Sequence, residues 1–248
     1  MKMSNNDLLR YSKQIILKEV GILGQKKISS TKVLIVGMGG LGCPVALYLS
    51  NLGIKNIGIV DHDKVDCSNL NRQILFNKKD IGKFKVAQAK KFLQRVDNKI
   101  NAYKIKIIKK NIQSILNKYD IICDCSDNFS TRYLINDFCL KNKKILISAA
   151  ISKFEAHIFN FNFSKKIPCY RCFMPEIPEK ENKCDTEGIL PTVAGIAGTL
   201  QANEVVKSIL DKKNDLVGKM IVFNTLSLNF RKIKLTRNTN CITNCNER

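Results

Sequence analysis

Gly37-Met38-Gly39-Gly40-Leu41-Gly42 falls between a β-branched run ending at Val36 and an apolar stretch reaching about Asn51. Glycines in such a turn let backbone amides approach a phosphate. The start of the following helix adds unpaired N–H groups and a positive dipole end. Asp61 closes the next β-branched run, roughly twenty residues further on, where a carboxylate can accept hydrogen bonds from ribose hydroxyls. Together these specify an adenine nucleotide. A dinucleotide dehydrogenase would show the same pair, and a glycine turn that only packs is the bland alternative.

Ser68-Asn69-Leu70-Asn71-Arg72-Gln73 and Lys85 come next. Hydride transfer has no need of such a donor cluster. Breaking a triphosphate does, because charge builds on phosphate oxygens as pyrophosphate leaves. Arg72 offers a planar fork and Lys85 a mobile point charge. Asp124-Cys125-Ser126-Asp127-Asn128 follows at the end of a later strand. An aspartate there can hold magnesium or position phosphates, or it can simply cap the helix that begins near Asn128.

These residues require a scaffold, and the patterning supplies one. Strands are expected at Lys32 to Val36, Asn56 to Val60, Ala102 to Ile108, Tyr119 to Cys123 and Lys144 to Ala149. Helices are expected at Asn5 to Val20, from the glycine turn to Asn51, and at Lys83 to Val96 and Ser130 to Lys141. Alternating strands and helices predict an α/β, Rossmann-like, largely parallel sheet with helices on both faces. Beyond Ile151 the pattern changes to an antiparallel strand (Phe154 to Phe163), a loop to Pro191 and a long helix from Pro191 to Leu210. A hairpin of Lys219 to Phe223 and Phe230 to Leu235 closes the chain. One domain is expected: an N-terminal arm over 1–30, a nucleotide-binding core over 31–150, and a carrier-binding and metal region over 151–248.

The uncharged stretch from Val33 to Ile54 is long enough to raise a membrane span, but its glycines and Pro44 fit a buried strand, turn and helix. The first twenty residues lack an apolar leader, so a cytoplasmic, reducing compartment is expected for the ten cysteines. The net charge of +21 comes from scattered lysines rather than an arginine stripe, and tryptophan is absent. Nucleic acid is therefore not the expected partner. Cys43, Cys67, Cys123, Cys125 and Cys139 read as small core residues.

In this order the pieces resemble the ThiF/MoeB/HesA family of ubiquitin-activating-like enzymes. The matching strings are Arg10-Tyr11-Ser12-Lys13-Gln14-Ile15, the Gly37 to Gly42 turn, Asp61-His62-Asp63, Ser68 to Gln73, and Gly82-Lys83-Phe84-Lys85. Asp124 to Asn128, Cys169-Tyr170-Arg171-Cys172 and Gly195 to Glu204 continue the resemblance along nearly the whole chain. It implies ATP bound at Gly37, Gly39, Gly40, Gly42, Asp61, Asp63, Asn69, Arg72, Gln73, Lys85, Asp127 and Asn128. Asp127 would act through Mg2+. The substrate would be the C-terminal Gly-Gly of a ubiquitin-like sulfur-carrier protein, adenylated for thiamin or molybdopterin sulfur transfer. The family resemblance also implies a homodimer whose N-terminal helix enters the neighbour's site.

Where the family carries an arginine finger this chain has Lys13, which keeps the charge and loses the fork; Arg10, one helical turn away, is the candidate substitute. Cys169-x-x-Cys172 and Cys241-x-x-x-Cys245 form two pairs suited to a tetrahedral Zn2+, as in the family's zinc-binding members. Cys184, beside Lys183, is the candidate for a covalent link to the carrier in sulfur transfer. Competing readings are a tRNA-modifying dehydratase of the same superfamily, an NAD-dependent oxidoreductase, and an idle binding scaffold.

Overall fold

The structure, a computed structural model, describes residues 3–94, 98–176, 188–211, 216–243 and 245. Eight strands form one sheet in the order β3-β2-β1-β4-β5-β6-β7-β8. The strands β1 (Lys32–Val36), β2 (Asn56–Val60), β3 (Lys99–Tyr103), β4 (Ile121–Asp124) and β5 (Ile145–Ser152) run parallel. β6 (Glu155–Asn162), β7 (Lys219–Asn224) and β8 (Asn229–Lys234) add antiparallel neighbours. Strand order reverses direction between β1 and β4, and ligands of open α/β sheets bind at such a switch point.

Each face of the sheet has its own core. Ile35, Ile57 and Ile147 pack with α4 (Gly42–Asn51), α5 (Lys85–Leu93) and α9 (Pro191–Leu210). Leu34, Ile122 and Phe159 pack on the other face with α6 (Ile112–Leu116), α7 (Phe129–Lys141) and α8 (Tyr170–Phe173). Residues buried on both sides explain why β1 reads as an unbroken apolar run. The stretch from Val33 is thus strand, turn and buried helix. Among the described residues no helix is long and apolar enough to cross a membrane. The small residues of α9 allow close packing: a Cβ on Gly198 would overlap Pro44 of α4.

Four expectations need correction. The helix expected from Asn5 to Val20 is broken into α1 (Asn5–Arg10) and α2 (Ser12–Ile15), with α3 (Gly21–Ser30) following. The break falls at Tyr11, which is buried against Gly53. Leu9 and Ile16, which set the helical spacing, are instead exposed. The strand expected from Ala102 to Ile108 is β3, and it leaves the sheet at Tyr103, whose carbonyl accepts from the Asp61 amide at 3.2 Å. The loop before Pro191 contains α8. Cys67 is exposed, unlike the other four cysteines read as core.

Candidate active site

The C-terminal ends of β1 and β4 open into a cavity of about 950 Å³. Its floor is the glycine turn. Gly37 adopts φ +97°, and a Cβ there would lie 2.6 Å from the Cys125 carbonyl, so the turn closes tightly onto the β4 loop. A Cβ on Gly42 would collide with the Gly37 carbonyl. Gly42 therefore makes room within the turn and does not line the cavity, whereas Gly37, Gly39 and Gly40 do. Helix α4 begins at Gly42 with no side-chain cap; the Cys43 amide donates to the Gly39 carbonyl at 3.1 Å and Pro44 has no N–H, so the helix contributes its positive dipole end while the turn residues Gly39, Gly40 and Leu41 line the cavity.

Asp61 organises this floor. One carboxylate oxygen accepts from the Met38 amide at 2.7 Å, and the other from the Asp63 amide at 2.8 Å. Burial pushes its carboxyl above the ordinary value, while the Lys85 ammonium pulls the other way. Lys85 is buried and its Nζ lies 3.0 Å from Asp63, which is half exposed at the rim. Arg72 projects from the loop after the 3₁₀ turn Cys67–Asn69, where its Nη1 donates to the Ser68 carbonyl at 3.0 Å and Asn71 Oδ1 at 3.1 Å. Asn69 and Gln73 also line the cavity, and the Gln73 amide is tied to the Asn69 carbonyl at 2.9 Å. Gln73 Oε1 is buried with no hydrogen-bond partner among the described residues. An unsatisfied buried acceptor beside a phosphate-type turn calls for a donor from a ligand.

Asp127 and Asn128 stand on the opposite wall. Asn128, not Asp127, caps α7: its Oδ1 accepts from the Thr131 amide at 2.9 Å. Asp127 is exposed, receives a bond from Asn128 Nδ2 at 3.2 Å, and keeps acceptor capacity toward the cavity. Its loop is held by Arg132, which sequence reasoning missed. That buried guanidinium lies 3.1 Å from Asp124 and donates to Ser148 Oγ, the Ala149 carbonyl and the Ser126 carbonyl at 2.6, 3.0 and 2.7 Å. The far wall of the cavity, from β6 and α8, was also missed: it includes Glu155, His157, Tyr170 and Phe173.

Lys13 and Arg10 do not line this cavity. Both are exposed, and Arg10 reaches Asn51 at 3.4 Å, at the last residue of α4. The glycine turn sits at the first residue, and ten helical residues span about 15 Å. Cys184 and Lys183 lie outside the described residues.

Cys169, Cys172, Cys241 and Cys245 converge although 72 positions separate the first and third. Their Sγ atoms lie 3.9 Å (169–172), 3.6 Å (169–241) and 3.2 Å (172–245) apart. A tetrahedron with Zn–S near 2.3 Å has edges of about 3.8 Å, so the spacing fits zinc. Burial raises the Cys169 thiol to about 11. Burial also acts to raise Cys241, but hydrogen bonds from the Thr243 hydroxyl and amide, together with those to Cys169 and Cys245, outweigh it and bring that thiol down to about 7.

A protein named adenylyltransferase and sulfurtransferase MOCS3 from Culex quinquefasciatus is 41% identical over 238 residues, covering 94% of this chain. Its namesake from Xenopus laevis is 40% identical over 247 residues, covering 98% of this chain. The chain spans about half the length of these curated relatives, 54% in each case. Among solved structures, Escherichia coli MccB with AMPCPP and MccA superposes with a TM-score of 0.82 at 25% identity. That match covers 98% of this chain and 74% of the other. MccB with ATP gives a TM-score of 0.79 at 22% identity, over 99% and 82%, a likeness of fold. Residues 11–243 match the ThiF family, a span that takes in the whole cavity, α9 and three of the four clustered cysteines, and the chain belongs to that family.

Proposed function

We propose that the chain adenylates the C-terminal glycine carboxylate of a ubiquitin-like sulfur-carrier protein, using ATP and releasing pyrophosphate. The observation that carries this reading is the arrangement of one cavity at the β1/β4 switch. It has a glycine turn and helix N-terminus as floor, Arg72 and Lys85 on one side, and the exposed Asp127 carboxylate on the other. Relatives named adenylyltransferase support it.

The chemistry suits these residues. A carboxylate oxygen of the carrier attacks the α-phosphorus, the bond to the bridging oxygen breaks, and its electron pair leaves on pyrophosphate. The attacking group is already deprotonated, so no general base is required. Arg72 and Lys85 stabilise the charge that gathers on the departing phosphates. Asp61 keeps the glycine turn shaped and offers its remaining lone pairs to ribose, and Gln73 Oε1 takes a ligand donor. Mg2+ bound to the phosphates would be held by Asp127, a hard oxygen ligand, with Asn128 beside it. Zn2+ would be held by Cys169, Cys172, Cys241 and Cys245 as a structural tie between α8 and the tail. Lys13 or Arg10, out of reach of its own cavity, would serve a second copy in a homodimer. The apolar residues exposed on the arm, among them Leu9, Ile16 and Leu23, supply a surface for that contact.

The test is carrier-dependent exchange of labelled pyrophosphate into ATP, with carriers ending in Gly-Gly and an Asp127→Ala control. Exchange with one carrier, lost in the control, supports the reading and names the carrier, thiamin-type or molybdopterin-type. Folded, ATP-binding protein that exchanges with no carrier rejects it.

A further inference from the structure

The nucleotide elements occupy only part of the cavity. At about 950 Å³ it stands at the upper end of the range for a single small-molecule ligand, which leaves room for a second reactant. The remaining wall comes from β6. Along that strand Ala156 and Ile158 face one core, while Phe159 and Phe161 face the other, so Glu155 and His157 continue the second row to its open end. Both are partly exposed, with side chains 43% and 32% accessible, and both line the cavity.

The pair is built rather than loose. His157 packs edge-on against Phe159 and Phe173, with ring centroids 6.5 and 6.4 Å apart and planes near perpendicular. Its Nε2 lies 2.9 Å from Glu155 Oε1, and since an ionised carboxylate only accepts, the imidazole donates. One Glu155 oxygen is thus held by a fixed ring.

Glu155 also stands at a junction. A second cavity of about 310 Å³ lies beside the first, lined by Ser152, Lys153, Phe154, Glu155 and Asn224. Ser152 and Glu155 line both cavities, and they are the last paired residues of the β5–β6 hairpin. Glu155 thus stands at the edge where the smaller recess adjoins the large cavity. An extended peptide laid across that edge presents backbone N–H groups to Glu155. An acceptor with no donors of its own, held by its neighbour, matches them.

We propose that Glu155, positioned by His157, binds the backbone N–H groups of the carrier's C-terminal tail at this edge of the cavity and is a specificity-determining residue for the carboxylate substrate. The inference rests on the adenylation reading above and goes beyond it by assigning the tail's contact.

The experiment uses the full chain, a carrier ending in Gly-Gly, and two readouts: calorimetric binding of carrier without ATP, and pyrophosphate exchange with KM taken for carrier and ATP separately. Glu155→Gln turns half of the acceptor into a donor and is expected to raise the carrier's Kd and KM by about tenfold or more, with KM for ATP unchanged. His157→Phe keeps the aromatic packing but removes the donor, and is expected to shift the carrier's KM the same way. His157→Gln restores a donor and should recover most of the loss. If wild-type protein exchanges but the Glu155→Gln and His157→Phe variants bind carrier as wild type does, the assignment is overturned and adenylation stands. The same holds if only KM for ATP moves. If wild-type protein neither binds nor exchanges with any carrier, the adenylation reading fails first and this inference falls with it.

Discussion

Arg132 and Asp124 form an ion pair at 3.1 Å between α7 and the end of β4, with both side chains almost fully buried. Asp124 accepts three further bonds, from the Ser148 hydroxyl at 2.7 Å, the Ser126 hydroxyl at 2.5 Å and the Ser126 amide at 3.0 Å. The pair clamps the loop that carries Asp127, so a structural salt bridge sets the position of a candidate catalytic carboxylate. Desolvation works against the Arg132 charge, but Asp124 together with Tyr170, Cys125 and Asp127 outweighs it and the guanidinium stays protonated.

Removing one partner should leave an uncompensated buried charge. Arg132→Met or Asp124→Leu alone is expected to destabilise the fold by about 3–5 kcal/mol, and the double variant by clearly less than the sum. Urea unfolding of the four proteins measures this. Additive losses would show that the two groups do not act as a pair.

Asp127 should behave in the opposite way. Its carboxylate is exposed and, among the described residues, its side-chain hydrogen bond is to its neighbour Asn128, so Asp127→Ala is expected to change stability by less than about 0.5 kcal/mol. Pyrophosphate exchange should fall by about 10²-fold or more, because a group that organises charge in the transition state is lost. A variant that unfolds early would make Asp127 structural; one that exchanges normally would remove it from the site.

Most of the cavity floor was legible in the sequence because it is local. The glycine turn, Asp61, Arg72 and Lys85 each follow an element whose periodicity can be read, and a parallel α/β sheet gathers the ends of its strands at one edge. The four cysteines were visible for the same reason, as two short spacings. What escaped depends on three-dimensional partners. Arg132 reads as one more cation on a helix in a basic chain, and only its burial against Asp124 gives it away. Its scarcity value as an arginine among lysines was the available signal. Glu155 and His157 sit in an alternating strand that predicts which face they share, but not that the face opens into the cavity. The N-terminal arm misled because its apolar spacing is helical while Leu9 and Ile16 stay exposed among the described residues.

The cysteine cluster makes a separate prediction. One zinc per chain is expected, bound by the four thiolates, and structural zinc of this kind is worth about 10 kcal/mol of apparent binding energy near neutral pH. Cys169→Ser or a strong chelator should therefore lower Tm sharply and free the tail from α8. Protons compete with the metal for thiolates, so retention should weaken as pH falls. Metal analysis and melting curves across pH 5–8 measure both. Metal-free protein that melts like the wild type would leave the cysteines as an ordinary buried cluster.

Lys13 gives the last prediction, and it concerns two chains rather than one. The arm is anchored on its own chain through Gln14, whose Nε2 donates to the Leu52 carbonyl at 2.9 Å, at the end of α4 remote from the glycine turn. Lys13 thus cannot serve its own cavity, and if the arm adds a cation to Arg72 and Lys85 at the phosphates, it does so in a neighbouring copy. Arginine fingers contribute about 10³–10⁵ in rate, and a lysine retains the charge without the fork. Lys13→Ala is expected to slow exchange by at least about 10²-fold, and Lys13→Arg to hold or raise it. If the arm acts across a homodimer, Lys13→Ala mixed with Asp127→Ala should regain activity. Half of randomly paired dimers are mixed and each mixed dimer restores one intact site, so about a quarter of the sites recover. Recovery after subunit exchange, with sedimentation showing a dimer, would put Lys13 on the partner's phosphates. Two inactive variants that stay inactive together, despite exchanging subunits, would leave Lys13 as a surface cation and move the search to Arg10.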